Sequence, residues 1–289
     1  MKTNLSSQIT LTRIPLRYYR PENAYEQSVL TRMEKIPTNI YESAEEGSFV
    51  IAKELASQIR KKQAAGEPFV LALSGGRSPQ SVFKELVRMH KEEQLSFRNV
   101  IVFNVYEFYP LSASTNSNLA YLKESFLDQV DIDPKNIYSP DGSMPKDDIF
   151  EFCRQYEQQI QNFGGIDYIL LGVGHASNII TMGISTILRA KNVILMAWGE
   201  DKSRIIANTV EGKVSETVPS TYLQTHMNAK VVIDLSAAYE LTRISHPWLV
   251  TNCDWDNKLI RRAIVWLCQL TGKPILKLTN KDYSEHGLG

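Results

Sequence analysis

The sequence predicts an α/β protein whose main domain is a three-layer, Rossmann-like fold with a mostly parallel sheet. Three observations lead to this fold class. Short, continuously apolar segments alternate with segments that are apolar at helical spacing, as in strands covered by helices on both faces. Small turn residues follow several of the apolar segments, where a strand would turn into a helix. The 289 residues are 43% hydrophobic and 22% charged, which is an ordinary composition for a globular domain.

The predicted elements follow one another in a regular order from about Ala44. The first helix is predicted over "EEGSFVIAKELASQIRKKQAAG" and ends at Gly66. The buried strands are predicted at 69–73, 100–105, 166–174, 192–198 and 229–235. The later helices are predicted at 79–93, 117–130, 148–163 and about 201–210. This alternation is typical of a parallel sheet with helices in the connections.

The chain divides into three parts on composition. Residues 1–45 are polar, tyrosine-rich and weakly periodic, and we interpret them as an N-terminal arm packed on the α/β domain at 46–245. Residues 246–289 form a C-terminal extension, in which "DNKLIRRAIVWLCQL" is amphipathic at helical period. The residues predicted for its apolar side are Leu259, Ile260, Ala263 and Leu267. This helix would dock on the core or on a partner, or lead to a further domain.

Charge and cysteine content exclude several classes of protein. Lys plus Arg and Asp plus Glu both number 32, so there is no net field to attract nucleic acid or anionic lipid. No apolar segment is long enough to span a bilayer, and the N-terminus lacks the apolar centre of a signal peptide. Cys153, Cys253 and Cys268 are widely spaced, which favours reduced thiols over disulfides or a zinc site. We therefore expect a cytoplasmic protein that binds neither nucleic acid nor membrane.

The loops after the strands are the places where a ligand is expected. Open parallel sheets bind ligands at the carboxyl ends of their strands. Four segments of this sequence occupy such positions. They are Ser74–Ser78, Asn104–Pro110, Gly172–Asn178 and Gly199–Lys202.

The first of these loops has the composition of an anion site. "SGGRSP" lies between a strand and a helix, and Gly75 and Gly76 let the backbone turn sharply and approach a ligand. Ser74 and Ser78 add hydroxyl donors, Arg77 adds a charged donor, and the following helix presents unpaired N–H groups. Together these groups are suited to phosphate. The alternative is a plain strand-to-helix turn with a helix cap.

A second cation is predicted to reach the same ligand. Lys202 lies at the start of a helix, where the dipole favours acidic rather than basic residues. One interpretation is a solvated lysine. The other is an ammonium group that extends over the strand ends to the phosphate held by Ser74–Ser78.

Several segments in sequence order resemble the glucosamine-6-phosphate deaminase family, which is related to the 6-phosphogluconolactonases. They include "SGGRSPQSVFKEL", "VIVFNVYEFYPL", "FLDQVDIDPKNIY" and "ITMGISTILRAKNVILMAWGEDKSRIIANTVEGKVSETVPSTYLQTH". The resemblance covers roughly 44–241. The first loop is as similar to a lactonase as to a deaminase, and the last segment favours the deaminases. The arm and tail resemble those of longer Bacteroidetes-type members, which carry a second domain.

The resemblance implies a reaction and a ligand class. Family members convert glucosamine 6-phosphate and water to fructose 6-phosphate and ammonia by acid–base catalysis, with no metal or redox cofactor. A carboxylate moves a proton between C2 and C1, and a histidine helps to open the ring. Ser74–Ser78 and Lys202 would then bind the phosphate of an amino sugar. Family members also assemble, so the resemblance implies a homo-oligomer.

Two departures from the family pattern affect the predicted catalytic residues, which are Tyr106, Glu107 and His175. The family has an aspartate as its base where this sequence has Tyr106, and a phenol is a weak base at neutral pH. Glu107 follows and is the alternative base. His175 lies near the position of the family histidine but cannot be aligned with it.

A few dozen family residues, including a D-G-H triplet, a glutamate in an N-E-P context and an arginine that the family uses for the phosphate, have no counterpart between Gly174 and Thr181. This gap has three explanations: a genuine deletion, an engineered shortening, or a mobile loop left out of the sequence. The departures leave two alternative functions open, a 6-phosphogluconolactonase and a non-catalytic sugar-phosphate-binding module.

Overall fold

The computed structural model describes residues 14–111, 117–174 and 178–288, and within them the chain forms one seven-stranded sheet. All of its strand pairs are parallel, in the order β1-β9-β8-β6-β2-β3-β5. A second, two-stranded sheet pairs β4 with β7 in antiparallel orientation. The strands are β1 (Thr38–Tyr41), β2 (Phe69–Leu73), β3 (Val100–Asn104), β4 (Tyr106–Phe108), β5 (Ile137–Tyr138), β6 (Tyr168–Gly172), β7 (Ile179–Thr181), β8 (Val193–Ala197) and β9 (Ala229–Asp234).

Helices cover both faces of the large sheet. The α-helices are α1 (Ala24–Leu30), α2 (Ala44–Ala64), α3 (Gln80–Glu93), α4 (Asn118–Ser125), α5 (Ile149–Asn162), α6 (Ile184–Leu188), α7 (Ser203–Glu211), α8 (Thr242–Ser245), α9 (Asn257–Thr271) and α10 (Asn280–Glu285). Short 3-10 helices lie at Leu16–Tyr18, Leu127–Gln129, Pro134–Asn136, Lys146–Asp148, Glu200–Lys202, Pro219–Thr225, Pro247–Leu249 and Ile275–Lys277.

The sheet separates two apolar cores, which explains why its strands are apolar at every position. Alternate residues of β2 face opposite sides, so that Leu71 belongs to one core and Val70 to the other. Helices α2, α3 and α4 close the first core, and α5, α7 and α8 close the second. The predicted three-layer α/β fold with a mostly parallel sheet is confirmed.

The predicted arm contributes a strand to the domain. Residues Thr38–Tyr41 form β1, which pairs with β9 at the edge of the sheet, although the sequence placed them in the arm. Thr38 and Ile40 are buried in an alternating pattern, which is too short a signal to distinguish a strand from a polar linker. The arm and the domain therefore share one sheet.

The C-terminal extension contains the predicted amphipathic helix. In α9, Ala263 and Leu267 are buried as predicted, whereas Ile260 is 41% exposed and lies off the buried side. The helix packs near an aromatic cluster that includes Trp248, Trp255 and Trp266. None of the helices in the described ranges is long and apolar enough to cross a membrane.

One predicted helix is shorter than expected. The sequence predicted a helix over 117–130, but α4 ends at Ser125, and Phe126 leaves the helical region with φ −149°. The Phe126 ring is buried, stacks on Phe83 at 5.3 Å and meets Phe97 edge-on at 5.4 Å. These aromatic contacts in the core override the local helical pattern.

Candidate functional site

The four loops predicted to meet a ligand follow β2, β3, β6 and β8. Because these strands are neighbours in a parallel sheet, their carboxyl ends meet at one edge. The β6 strand lies between β2 and β8, so the loop after β2 and the loop after β8 are separated by a single strand. Part of the loop after β6 lies outside the described residues.

The loop Ser74–Ser78 is anchored to the neighbouring strand by its first residue. The buried Ser74 hydroxyl donates to the carbonyl of Leu170 at 3.0 Å and accepts from the N–H of Gly172 at 3.2 Å. This hydroxyl therefore ties β2 to β6. The contact of Ser74 with a phosphate stays a prediction.

The loop needs glycine at both positions, for a different structural reason at each. A Cβ on Gly75 would lie 1.6 Å from Oδ1 of Asn118, so only glycine fits against this amide. Gly76 has φ +98°, a conformation that side chains with a Cβ rarely adopt. The carbonyl of Gly76 accepts a hydrogen bond from the hydroxyl of Tyr121 at 2.9 Å.

The end of the loop is fixed from the other side. The indole N–H of Trp198, after β8, donates to the carbonyl of Ser78 at 2.7 Å. The Ser78 side chain lies over Gly172, where an added Cβ would come within 3.5 Å of it. Arg77 is exposed between these anchors. The carbonyls of Gly76, Arg77 and Ser78 thus all accept hydrogen bonds from protein donors.

The amide groups of the loop are available to a ligand. The N–H groups of Gly75, Gly76, Arg77 and Ser78 have no hydrogen-bond acceptor among the described residues. The loop leads through Pro79 into α3, which has 14 residues and no side-chain cap at its N-terminus. Free amides and the positive end of a helix dipole together favour an anion at this position.

Lys202 lies on the loop after β8. Gly199 turns the chain with φ +93°, and its N–H donates to the Asp234 carboxylate. Burial raises the pKa of Asp234. The Lys202 ammonium forms an ion pair with Asp201 at 3.0 Å and its side chain is 27% exposed. The structure thus places Lys202 at the predicted edge, and its contact with the same phosphate as Ser74–Ser78 stays a prediction.

Tyr106 lies on β4, where it pairs with Thr181 of β7. Its ring meets Phe108 edge-on at 5.8 Å. Burial raises the pKa of the Tyr106 phenol, and the charges of Glu107 and Tyr121 raise it further. Because a higher pKa leaves less phenolate at neutral pH, this environment keeps the Tyr106 phenol protonated and so unable to accept a proton from the sugar.

Glu107 is 2% exposed and both of its oxygens are engaged. Oε1 accepts from the N–H groups of Phe108 at 2.9 Å and Asn118 at 2.7 Å. Oε2 accepts from the hydroxyl of Ser117 at 2.8 Å and the N–H of Leu119 at 2.9 Å. The carboxylate therefore caps the first turn of α4, where its charge also suits the helix dipole. The predicted catalytic role of Glu107 stays a prediction.

His175, the third predicted catalytic residue, lies outside the described residues. Its role also stays a prediction. Sequence reasoning did not single out Asn118, Tyr121 and Trp198 for the site, although they contact the loop. The contacts of Tyr121 and Trp198 join residues 45 and 120 positions apart, which no local pattern reveals.

Comparison with known proteins shows the family to which the chain belongs. A family model described as glucosamine-6-phosphate isomerases/6-phosphogluconolactonase matches residues 42–177. A glucosamine-6-phosphate deaminase of Bacillus velezensis is 33% identical over 235 residues, which cover 67% of this chain and 95% of that protein. The chain belongs to the glucosamine-6-phosphate isomerase/6-phosphogluconolactonase family. The recognition of the family from its motifs is confirmed.

Solved members of the family support the same fold. The chain matches a monomeric glucosamine-6-phosphate deaminase with a TM-score of 0.64 and 28% identity, covering 70% of this chain and 99% of that one. A 6-phosphogluconolactonase from Leishmania guyanensis matches with a TM-score of 0.57 at 18% identity, over 71% of this chain and 98% of that one. The second likeness concerns the fold alone.

A longer family member aligns with the whole chain. A glucosamine-6-phosphate deaminase-like protein of Bacteroides thetaiotaomicron is 60% identical over 329 residues, covering 100% of this chain and 50% of that protein. The chain thus spans half the length of that relative. Because the alignment is longer than the 289 residues present here, the relative has additional positions inside the aligned region.

Proposed function

We propose that this chain binds a phosphorylated amino sugar at the carboxyl edge of its sheet, with the phosphate against residues 75–78. The observation that carries the proposal is the set of four loop amides without an acceptor among the described residues, at the start of α3. A phosphate offers enough oxygens to accept several of these N–H groups at once. Lys202 follows β8, which β6 separates from β2 and its loop, and it supplies the second positive charge.

The amino-sugar part of the ligand is inferred from the family. Relatives named glucosamine-6-phosphate deaminase are 30–34% identical to this chain over most of their own length. The 6-phosphogluconolactonase structures are less than 20% identical to this chain, so their similarity supports only a shared fold. Glucosamine 6-phosphate is therefore the ligand that we place first.

We further infer that conversion of glucosamine 6-phosphate to fructose 6-phosphate and ammonia is slow in this chain. The proton transfer between C1 and C2 needs a base that is charged and free to reach the sugar. Tyr106 has a phenol with a raised pKa, and the Glu107 carboxylate is occupied by four hydrogen bonds. Binding with weak turnover follows from these two residues. Full deaminase activity is the second candidate, and the similarity to named deaminases favours it.

One set of measurements separates these functions. Calorimetry with glucosamine 6-phosphate, glucosamine and inorganic phosphate tests binding, and we expect affinity for the two phosphate-bearing ligands but not for glucosamine. An ammonia assay with glucosamine 6-phosphate measures turnover, which we expect near background. Rapid ammonia release would establish the deaminase instead. Hydrolysis of 6-phosphogluconolactone without ammonia release would identify a lactonase, and no affinity for glucosamine 6-phosphate would refute the proposal.

A further inference from the structure

The contacts of α4 with the glycine loop, Ser74–Ser78, indicate a function for Glu107, the buried residue after Tyr106. Asn118 and Tyr121 are three residues apart and therefore lie on one face of α4. The Asn118 amide lies against Gly75, and the Tyr121 hydroxyl holds the Gly76 carbonyl at 2.9 Å. One face of this helix thus contacts both glycines of the proposed phosphate loop.

Glu107 determines where that helix begins. Its carboxylate accepts the N–H groups of Asn118 and Leu119 at 2.7 and 2.9 Å, and it accepts the hydroxyl of Ser117 at 2.8 Å. Ser117 in turn caps the N–H of Ala120. All three N–H groups at the start of α4 are thereby satisfied, which fixes the rotation of the helix about its axis.

The Asn118 side chain links the same cap to the last residue of β3 and the first residue of β4. Its Nδ2 donates to Oδ1 of Asn104 at 2.7 Å and to the carbonyl of Tyr106 at 2.9 Å. Asn104 and Asn118 are both buried, so these bonds are shielded from water. The network leaves Asn118 no freedom to move away from Gly75.

We propose that Glu107 is a positioning residue, which acts through α4 to hold the glycine loop with its amides open to the ligand's phosphate. This inference rests on the proposed function, since it concerns the same phosphate. Glycine peptides turn easily, and a rotation of the peptide after Gly76 would present its carbonyl oxygen to the anion. The bond from Tyr121 prevents that rotation, and Glu107 places Tyr121 where it can form this bond.

The test compares one variant at Tyr121 and one at Glu107 with a matched control. Tyr121→Phe removes only the hydroxyl that holds Gly76, and Glu107→Gln replaces one acceptor oxygen of the cap by an amide that donates. The control is Asp131→Asn, which replaces a carboxylate by an amide. The Asp131 carboxylate accepts from the Phe97 N–H at 2.6 Å, just before β3 and thus at the amino ends of the strands, away from the proposed phosphate loop. Calorimetry with glucosamine 6-phosphate and with inorganic phosphate is the readout, and the melting temperature reports stability separately.

We expect Tyr121→Phe to weaken the binding of both phosphate compounds by about 3- to 10-fold, as the loss of one hydrogen bond implies. Glu107→Gln should weaken it on the order of 10-fold or more, while Asp131→Asn lowers the melting temperature without changing affinity. If Tyr121→Phe and a folded Glu107→Gln bind like the wild type, the positioning role is refuted while the proposed function stands. A wild type that binds inorganic phosphate but not the sugar phosphate refutes the proposed function alone. A wild type that binds neither refutes both.

Discussion

Glu34 and Arg243 form a buried ion pair, in which Nε of the guanidinium lies 2.8 Å from Oε1 of the carboxylate and neither side chain is more than 2% exposed. Arg243 also donates to the carbonyl of Thr38 at 2.8 Å. The pair therefore joins the turn after α1, the edge strand β1 and the short helix α8. Residues of the N-terminal arm and of the end of the α/β domain are held together at one buried point.

The first prediction concerns the pH dependence of this pair. Burial raises the pKa of Glu34 from 4.5 to about 7, opposed by the charge of Arg243 and assisted by that of Glu211. A carboxyl with a raised pKa binds its proton more tightly in the folded state. Its contribution to stability is therefore present below pH about 4.5 and is lost as the pH rises to about 7.

We expect the free energy of unfolding of the wild type to fall, relative to that of Glu34→Gln, by up to about 3 kcal/mol across this range. Urea unfolding of both proteins at several pH values measures the difference. Glu22→Gln, an exposed change in the arm, serves as the control and should follow the wild type. Parallel pH curves for the wild type and Glu34→Gln would contradict this prediction.

Replacing the cation of the pair gives a second prediction. Arg243→Met leaves the Glu34 carboxylate buried without a partner, which should cost about 3–5 kcal/mol above pH 7. Below pH 5 the cost should be smaller, because Glu34 then carries a proton. The double variant Glu34→Gln/Arg243→Met should recover part of the loss, and equilibrium unfolding at both pH values would show it. A cost that is equal at both pH values would argue against the ion pair as its source.

The third prediction tests the predicted cation of the phosphate site. Lys202→Ala should weaken the binding of glucosamine 6-phosphate by about 10- to 150-fold, as expected for one charge-assisted hydrogen bond. The exposed Lys53 on α2 provides the control, since Lys53→Ala removes the same charge from a helix rather than from a loop at the strand ends. Calorimetry is the measurement. Equal affinities of the two variants would show that Lys202 does not bind the phosphate.

A glycine substitution separates loop geometry from general stability in a fourth prediction. Gly76 and Gly66 both have positive φ, +98° and +70°, and neither has an atom within 4 Å of an added Cβ. Alanine at either site should therefore lower stability by about 1–2 kcal/mol through backbone strain alone. Only Gly76→Ala should also weaken phosphate binding. Unfolding curves and calorimetry of both variants test this, and an equal loss of affinity in both would contradict it.

The fifth prediction addresses the missing base. Tyr106→Asp introduces a carboxylate where the resemblance implies the family aspartate, and general base catalysis typically contributes about 100-fold or more. We expect ammonia release from glucosamine 6-phosphate to exceed that of Tyr106→Asn, which has the same shape without the charge, on the order of 100-fold. Equal rates in the ammonia assay would mean that residue 106 does not limit the reaction.

Sequence patterns predicted the large elements well because their signal is local. Strand β2 was predicted with its observed bounds, Phe69–Leu73, since an apolar segment followed by small residues has few alternatives. The composition of the loop Ser74–Ser78 predicted an anion site there, and this stays a prediction. By contrast, the strand β1 and the end of α4 at Ser125 depend on a distant partner, β9 for one and the rings of Phe83 and Phe97 for the other.

Residue type and spacing alone predicted a parallel α/β domain and a glycine loop after one of its strands. The resemblance to the family, rather than spacing, implies that Tyr106 stands where family members have an aspartate. The cap that Glu107 forms on α4 and the bond from Trp198 to Ser78 came only from the folded structure, since each contact needs groups from separate elements at the same strand edge. Hydrogen bonds act over about 3 Å, and only folding brings side chains that are distant in the sequence within that range.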